Sequence, residues 1–192
     1  MMPATNEYDP DDYTPLVMPS FLHYTTPIKM PNKSSKPKPK PRSEAKVSYT
    51  YPSLHKEVSL AISGEISKIW FNNQKASRAN NEYSTTVMGK FICKNGKCPK
   101  HGWSSKKVAI LIKGYAGNGY SAIVFNQRCQ SCNELGILTI DKQSYIERVA
   151  YRLKKWAGVR VDEQYFVSQE GLPHKPELCE GCKRGYCQRR RN

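Results

Sequence analysis

Long apolar runs are missing from this chain. The longest uninterrupted aliphatic stretch is Val108 to Ile112, against the roughly 20 residues that a membrane-spanning helix needs. No membrane span is therefore expected. The first residues, MMPATNEYDPDDY, lack a basic region followed by an apolar one, so no secretory signal is read there. That points to the cytoplasm or the nucleus, where thiols stay reduced. Hydrophobic residues are also scarce, at 38% of 192. A packed core of about a hundred residues is affordable on that composition, with extensions left over. The seven cysteines are an odd number, which argues against a disulfide framework and leaves zinc as the leading explanation for them.

Acidic residues are outnumbered as well: Asp and Glu total 16 against 31 Lys and Arg, a formal charge of +15. The imbalance is uneven. Residues 1–28 carry Glu7, Asp9, Asp11 and Asp12 and no Lys or Arg; residues 29–46 carry seven Lys or Arg against Glu44 alone. The basic block includes KPKPKPR, whose alternating prolines favour an extended polyproline-II chain. Residues 1–46 thus read as a disordered tail, first acidic and then basic.

From residue 47 the pattern changes. Leu54, Val58, Ala61, Ile62, Ile66, Ile69 and Trp70 recur at three- and four-residue steps, which predicts an amphipathic helix over 54–74, with Pro52 and Ser53 as start signals. Residues 72–86 read as a loop, so that 47–90 forms a helix and loop packed on the domain that follows. VAILIKGY (108–115) and YSAIVFNQ (120–127) flank AGNG, and the Asn118-Gly119 pair predicts a β-hairpin turn. Asp141 suits an N-cap and Gly158 a stop for a second helix, with Tyr145, Ile146, Val149, Leu153 and Trp156 on one face. Val159 to Val167 is a candidate short strand.

Cysteine spacing carries the chemistry. Cys93-x4-Cys98 stands just before the hairpin and Cys129-x2-Cys132 just after it. Each pair can turn two thiolates toward one point, and antiparallel pairing can bring both pairs to the same end of the sheet, as in a zinc ribbon. The closing segment holds His174-x4-Cys179-x2-Cys182-x4-Cys187, with Gly181 and Gly185 expected to relieve its turns. Seven cysteines and His174 make eight ligands, enough for two closed tetrahedral sites and two zinc ions. His101 reads as a surface residue. Spacing leaves open whether the two sets are sequential or interleaved.

Neither zinc is expected to be catalytic. No H-x-E precedes a P-C-x-x-C, and neither a phosphate-cradling loop nor a nucleophile elbow is present. GYAGNGY lacks the strand-to-helix context of a dinucleotide site. The reading is a non-enzymatic module without a small-molecule substrate.

The succession FICKNGKC, WSSKKVAILI, VFNQRCQSC, a helix and PHKPELCEGCKRGYC resembles the 3CxxC-type zinc-finger family, which includes the receptor-transporting proteins, the zygote arrest proteins and fungal relatives. YIERVAYRLKKW is most similar to the fungal branch. The first pair departs from the family pattern, being C-x4-C where the family name implies C-x-x-C. The resemblance covers about 91–187 and leaves 188–192 as a basic tail. The expected fold is α+β: a small zinc-ribbon-like antiparallel sheet with two flanking helices and two structural zinc sites.

Two functions follow from the resemblance. Zygote arrest proteins are associated with binding messenger RNA, and receptor-transporting proteins with chaperoning a client protein. Seven thiolates and two zinc ions would take the formal +15 to +12, so attraction to phosphate survives metal loading. RNA is the favoured partner, with Arg128, Arg148, Arg152, Lys154, Lys155, Lys183, Arg184, Arg189, Arg190 and Arg191 as candidate contacts. Trp103, Tyr115, Tyr120, Phe125 and Tyr186 lie among basic residues and are candidates either for the core or for base stacking. A protein client is the alternative partner.

Overall fold

A computed structural model describes residues 45–74, 78–162 and 174–187. Most of the expected tail over 1–46, the second half of the candidate strand at 159–167 and Arg189 to Arg191 lie outside the described residues.

In chain order the elements are β1 (Ser48–Tyr49), a 3-10 turn (Pro52–Leu54), α1 (His55–Ile62), β2 (Trp70–Phe71), β3 (Asn81–Cys93), β4 (Gly102–Tyr115), β5 (Gly119–Phe125), β6 (Gly136–Ile140), α2 (Lys142–Trp156), a second 3-10 turn (Pro176–Leu178) and the one-turn α3 (Glu180–Lys183). The sheet runs β1-β5-β4-β3-β6, and β2 adds a short parallel pairing to β5. The other pairings are antiparallel. The expected α+β ribbon with two flanking helices is the architecture found.

The run VAILI in β4 lies at the centre because it is buried on both faces. Val108, Ile110 and Ile112 point toward α1 and α2, among Val58, Ile62, Tyr120, Tyr145 and Val149. Ala109 and Leu111 point the other way, onto Phe125 and Cys179. A strand covered on both sides has no polar face to keep, so it reads as continuous aliphatics rather than an alternation. The expected hairpin is present, but its turn sits one residue early. Gly117 and Asn118 take the positive φ values, 64° and 58°, while Gly119 already pairs with Tyr115. Gly119 serves a different need: the ring of Trp70 lies where a Cβ would be.

The first helix is shorter than its periodicity predicts, ending at Ile62 rather than running to 74. Gly64 follows at once, and helix propensity falls by about 1 kcal/mol at a glycine. Ile66 and Ile69 are buried all the same. Their spacing reflects burial along a connector to β2, not helical geometry. Residues 81–86, expected as loop, form the start of β3. NEYSTT lacks aliphatics because this half of the strand faces no core on its outer side. Val159 to Asp162 form no strand.

The two long strands divide functionally at a bulge where the β3–β4 register shifts between Val87 and Gly89. There the Met88 N–H donates to Ser144 Oγ (3.1 Å), and its carbonyl accepts from the Asp141 N–H (3.0 Å). Asp141 caps α2 as expected, accepting from the Ser144 N–H at 2.8 Å, and Gly158 ends the turn after it with φ 75°. Beyond the bulge β3 is flanked on both sides, by β4 and by β6.

Candidate metal centres

Antiparallel pairing brings the two knuckles to one end of the sheet. Cys93 closes β3, and Asn95 shapes the turn after it: its Oδ1 accepts from the Lys97 N–H (3.0 Å) and its carbonyl from the Cys98 N–H (3.0 Å). Across the sheet, the Asn133 N–H donates to the Cys129 carbonyl (2.9 Å), with Asn133 at φ 57°, and this winds the Cys129–Cys132 turn. Cys93 Sγ lies 3.5 Å from Cys132 Sγ, and Cys98 Sγ 3.7 Å from Cys129 Sγ. All four sulfurs lie within 4.8 Å of one another, and all seven cysteines are free of disulfides. A tetrahedron with zinc–sulfur bonds of about 2.3 Å has edges of about 3.8 Å, so the donor set fits the ion.

The second cluster is local in sequence. His174 precedes the 3-10 turn, Cys179 follows it, Cys182 lies on α3, and Cys187 comes after Gly185, whose φ is 75°. His174 Nε2 stands 3.1 Å from Cys182 Sγ and 3.5 Å from Cys187 Sγ. One nitrogen and three sulfurs again lie within 4.8 Å of one another. The grouping is therefore sequential, with no exchange of pairs between clusters. Each bound zinc would supply a cross-link that closes its loop and adds folding energy.

Thiols packed this closely titrate unequally. Burial pushes Cys93 up to about 12. Burial also acts to raise Cys129, yet the backbone around Ser131 and Cys132 hydrogen-bonds its sulfur and brings it down to about 7. Cys179 is drawn down to about 4, first by the hydrogen bond from Cys187 and despite its burial. Cys187 is pushed up correspondingly, first by Cys179 and then by burial. Such split clusters hold protons that a divalent cation must displace.

Three features of the site were not visible in the spacing. The first is a strap between the clusters. Gln127 bridges to Cys179, the Glu180 N–H donates to the Asn126 carbonyl (3.1 Å), and the Arg128 N–H to the Leu178 carbonyl (2.8 Å). Cys129 of the first cluster follows directly. Asn126 is fully buried, its Nδ2 donating to the carbonyls of Lys46 (2.6 Å) and Gly136 (2.8 Å). Gln127 donates to Ser105 Oγ and the Lys107 carbonyl, each at 3.0 Å.

The second is Glu180, only 3% exposed. It is held by Arg128 Nε (2.7 Å), Arg184 Nη1 (2.8 Å) and Lys183 Nζ (3.2 Å). Burial acts to raise its carboxyl, but the three cations overcome that and bring it to about 2. The third is Gly181, which sits inside α3 rather than relieving a turn. An added Cβ there would lie 2.5 Å from Ala109 Cβ.

The candidate phosphate contacts are largely committed elsewhere. Arg128, Lys183 and Arg184 clamp Glu180, Arg152 lies 3.1 Å above the Tyr83 ring centroid, and Lys154 pairs with Glu65 at 2.7 Å. Lys155 lies 5.7 Å from the Tyr151 ring centroid, and Arg148 is half-buried on α2. Among the candidate aromatics, Tyr120 and Phe125 are buried, Phe125 stacks on Tyr186 (5.4 Å) and Trp103 on Phe91 (5.0 Å). Tyr115 is half-buried beside Trp70 (6.0 Å). His101 is exposed, as expected. No helix among the described residues is long and apolar enough to cross a membrane.

Residues 86–185 match the 3CxxC zinc-ribbon family, described as a zinc-binding domain; this span is just over half of the 192 residues. No curated protein and no solved structure matches the chain. With two four-donor clusters in place and the family match taking in all of their donors but Cys187, the chain belongs to the 3CxxC zinc-ribbon family of zinc-binding domains.

Proposed function

We propose that this protein is a non-enzymatic, two-zinc RNA-binding module of the cytoplasm or nucleus. The observation that supports it is a one-sided charge distribution across the first ribbon. Between Tyr83 and Asn133 there is no Asp or Glu, while Lys90, Lys94, Lys97, Lys100, Lys106 and Lys107 supply positive charge beside Lys113, which pairs with Glu82, and Arg128, which pairs with Glu180. A surface selected only for solubility mixes both signs; one that carries a single sign attracts a polyanion. The zygote arrest proteins, which the motif order resembles, point the same way.

Affinity measured against ionic strength tests this reading. Zinc-loaded full-length protein should bind RNA with log K falling linearly in log salt, by about 0.7 per phosphate contacted on a single strand. Failure to retain RNA at low salt overturns it. A second reading, an adaptor for a client protein, is favoured by the exposure of Leu60 on α1 (64%) and of Trp70 (42%). Such a complex would survive salt that strips RNA and would lose affinity in Leu60→Ser.

A further inference from the structure

The sheet has two faces, and α1 and α2 pack on one of them. The other face is only half covered: α3 closes it over Ala109 and Leu111, with Gly181 in near contact. Past the bulge, toward the first knuckle, no element among the described residues packs on the outward side chains of β3. There Met88, Lys90 and Ile92 alternate outward while Val87, Phe91 and Cys93 point inward. Ile92 is 54% and Met88 41% exposed, which puts two of the exposed large hydrophobics on a single short strip with a lysine between them. The strip leads into a knuckle whose Lys94, Lys97 and Lys100 are all exposed.

We infer that this open half-face and the knuckle at its end form the docking surface for single-stranded RNA, an assignment that rests on the RNA-binding reading above. The argument is complementarity of two kinds. Lys90, Lys94, Lys97 and Lys100 make no ion pair among the described residues, unlike the cations around Glu180 or Lys154 on α2. With Lys106 and Lys107 they make six positive charges. The adjoining four-thiolate zinc site carries a net −2 when loaded, leaving +4 at one end of the molecule. Glu134 and Asp141, which flank neighbouring β6, reduce that to +2, since a carboxylate that accepts a capping hydrogen bond keeps its charge. Phosphates thus have Lys90, Lys94, Lys97 and Lys100 as partners. Met88 and Ile92 call for something flat and apolar beside those phosphates. Bases splayed from a single strand offer it, and a duplex hides it in the stack. An acidic peptide brings the charge without the ring faces.

The test is fluorescence anisotropy on zinc-loaded full-length protein with a labelled mixed-sequence single-stranded RNA, titrated at several salt concentrations. Three proteins are compared: wild type; a ribbon variant with Lys90, Lys94, Lys97 and Lys100 changed to serine; and a charge-matched control with Lys46, Lys56, Lys68 and Lys142 changed to serine. Zinc content of two per chain serves as the folding check. The ribbon variant should bind at least about tenfold more weakly at low salt, and its salt slope should fall by about 3. The control should keep the wild-type slope to within about one contact. Met88→Ser with Ile92→Ser, which leaves the charge untouched, should weaken single-strand binding while keeping the slope.

Equal losses in the ribbon and control variants would show attraction to net charge alone and overturn the assigned surface, with RNA binding still standing. Equal affinity for a duplex of the same sequence, or displacement by polyglutamate as effective as by unlabelled RNA, would overturn the single-strand assignment. No binding by wild type would remove the underlying reading itself.

Discussion

Gly181 shows how little room a single position can leave. Its Cα carries α3 so close to β4 that a methyl group would overlap Ala109 Cβ at 2.5 Å and press on Phe125 at 3.4 Å. Gly181→Ala should therefore destabilise the zinc-loaded protein by about 1–3 kcal/mol, the usual cost of overpacking, read as a lower urea midpoint. Adding Ala109→Gly in the same chain removes the clashing atom and should recover part of the loss. If the double variant is no better than the sum of the two singles, close approach is not what the glycine provides. This role was hidden in the sequence, because a glycine between two cysteines reads first as a turn residue. Glu180 was hidden for a related reason: beside a metal ligand and three cations it looks like a surface charge, and only the fold shows it to be buried.

Elements were legible where a pattern had one cause and misleading where it had two. The α2 helix followed its heptad-like stripe, its Asp141 cap and its Gly158 stop. The β4 run was read correctly as strand because five branched and small aliphatics end in a turn. The α1 stripe, by contrast, mixed a short helix with a buried connector that kept the same spacing. The outer half of β3 had no hydrophobic alternation to reveal it, since its order comes from pairing with β4.

Between these elements sits a group of phenols with a pH signature. Tyr51, Tyr120 and Tyr145 meet where α1 and α2 cover β5, with Tyr51 and Tyr145 edge-to-face at 5.7 Å and His55 Nδ1 3.2 Å from Tyr120 Oη. Burial pushes Tyr51 up to about 12, helped by nearby Tyr49, and raises Tyr120 and Tyr145 as well. Below about pH 10 the phenols are neutral in both folded and unfolded chains, so their packing is fully available. Above it the unfolded chain ionises while the fold resists, and stability falls as pH rises from about 10 toward 12. Urea midpoints across that range should decline for wild type and decline less for Tyr145→Phe. Tyr145 Oη is buried with no hydrogen-bond partner among the described residues, so at neutral pH the phenylalanine should cost nothing and gain slightly. A loss of more than about 1 kcal/mol at pH 7 would mean the hydroxyl has a partner that matters.

At the scale of the whole molecule, zinc organises both ends of the chain's second half. Metal analysis should give two zinc ions per chain, and chelation should abolish cooperative unfolding, because much of the folding energy of such sites is binding energy. Loading should release protons, measurable in weakly buffered solution, since Cys93 and Cys187 hold theirs tightly in the empty clusters. One zinc per chain, or a fold indifferent to chelator, would contradict this. The ligand sets were the most legible part of the molecule, because two turns of fixed length must aim their sulfurs at one point wherever they sit. What spacing could not supply was the connection between them.

That connection has a consequence for how the protein fills. Asn126 and Arg128 are hydrogen-bonded to the backbone of the second cluster, with Gln127 paired opposite Cys179 between them, and the next residue, Cys129, is a donor of the first. Ordering either cluster therefore preorganises a quarter of the other's donor set and lowers the entropy its own closure costs. Stepwise titration should pass through few singly loaded chains, giving a sigmoidal occupancy curve in which the protein is either empty or full.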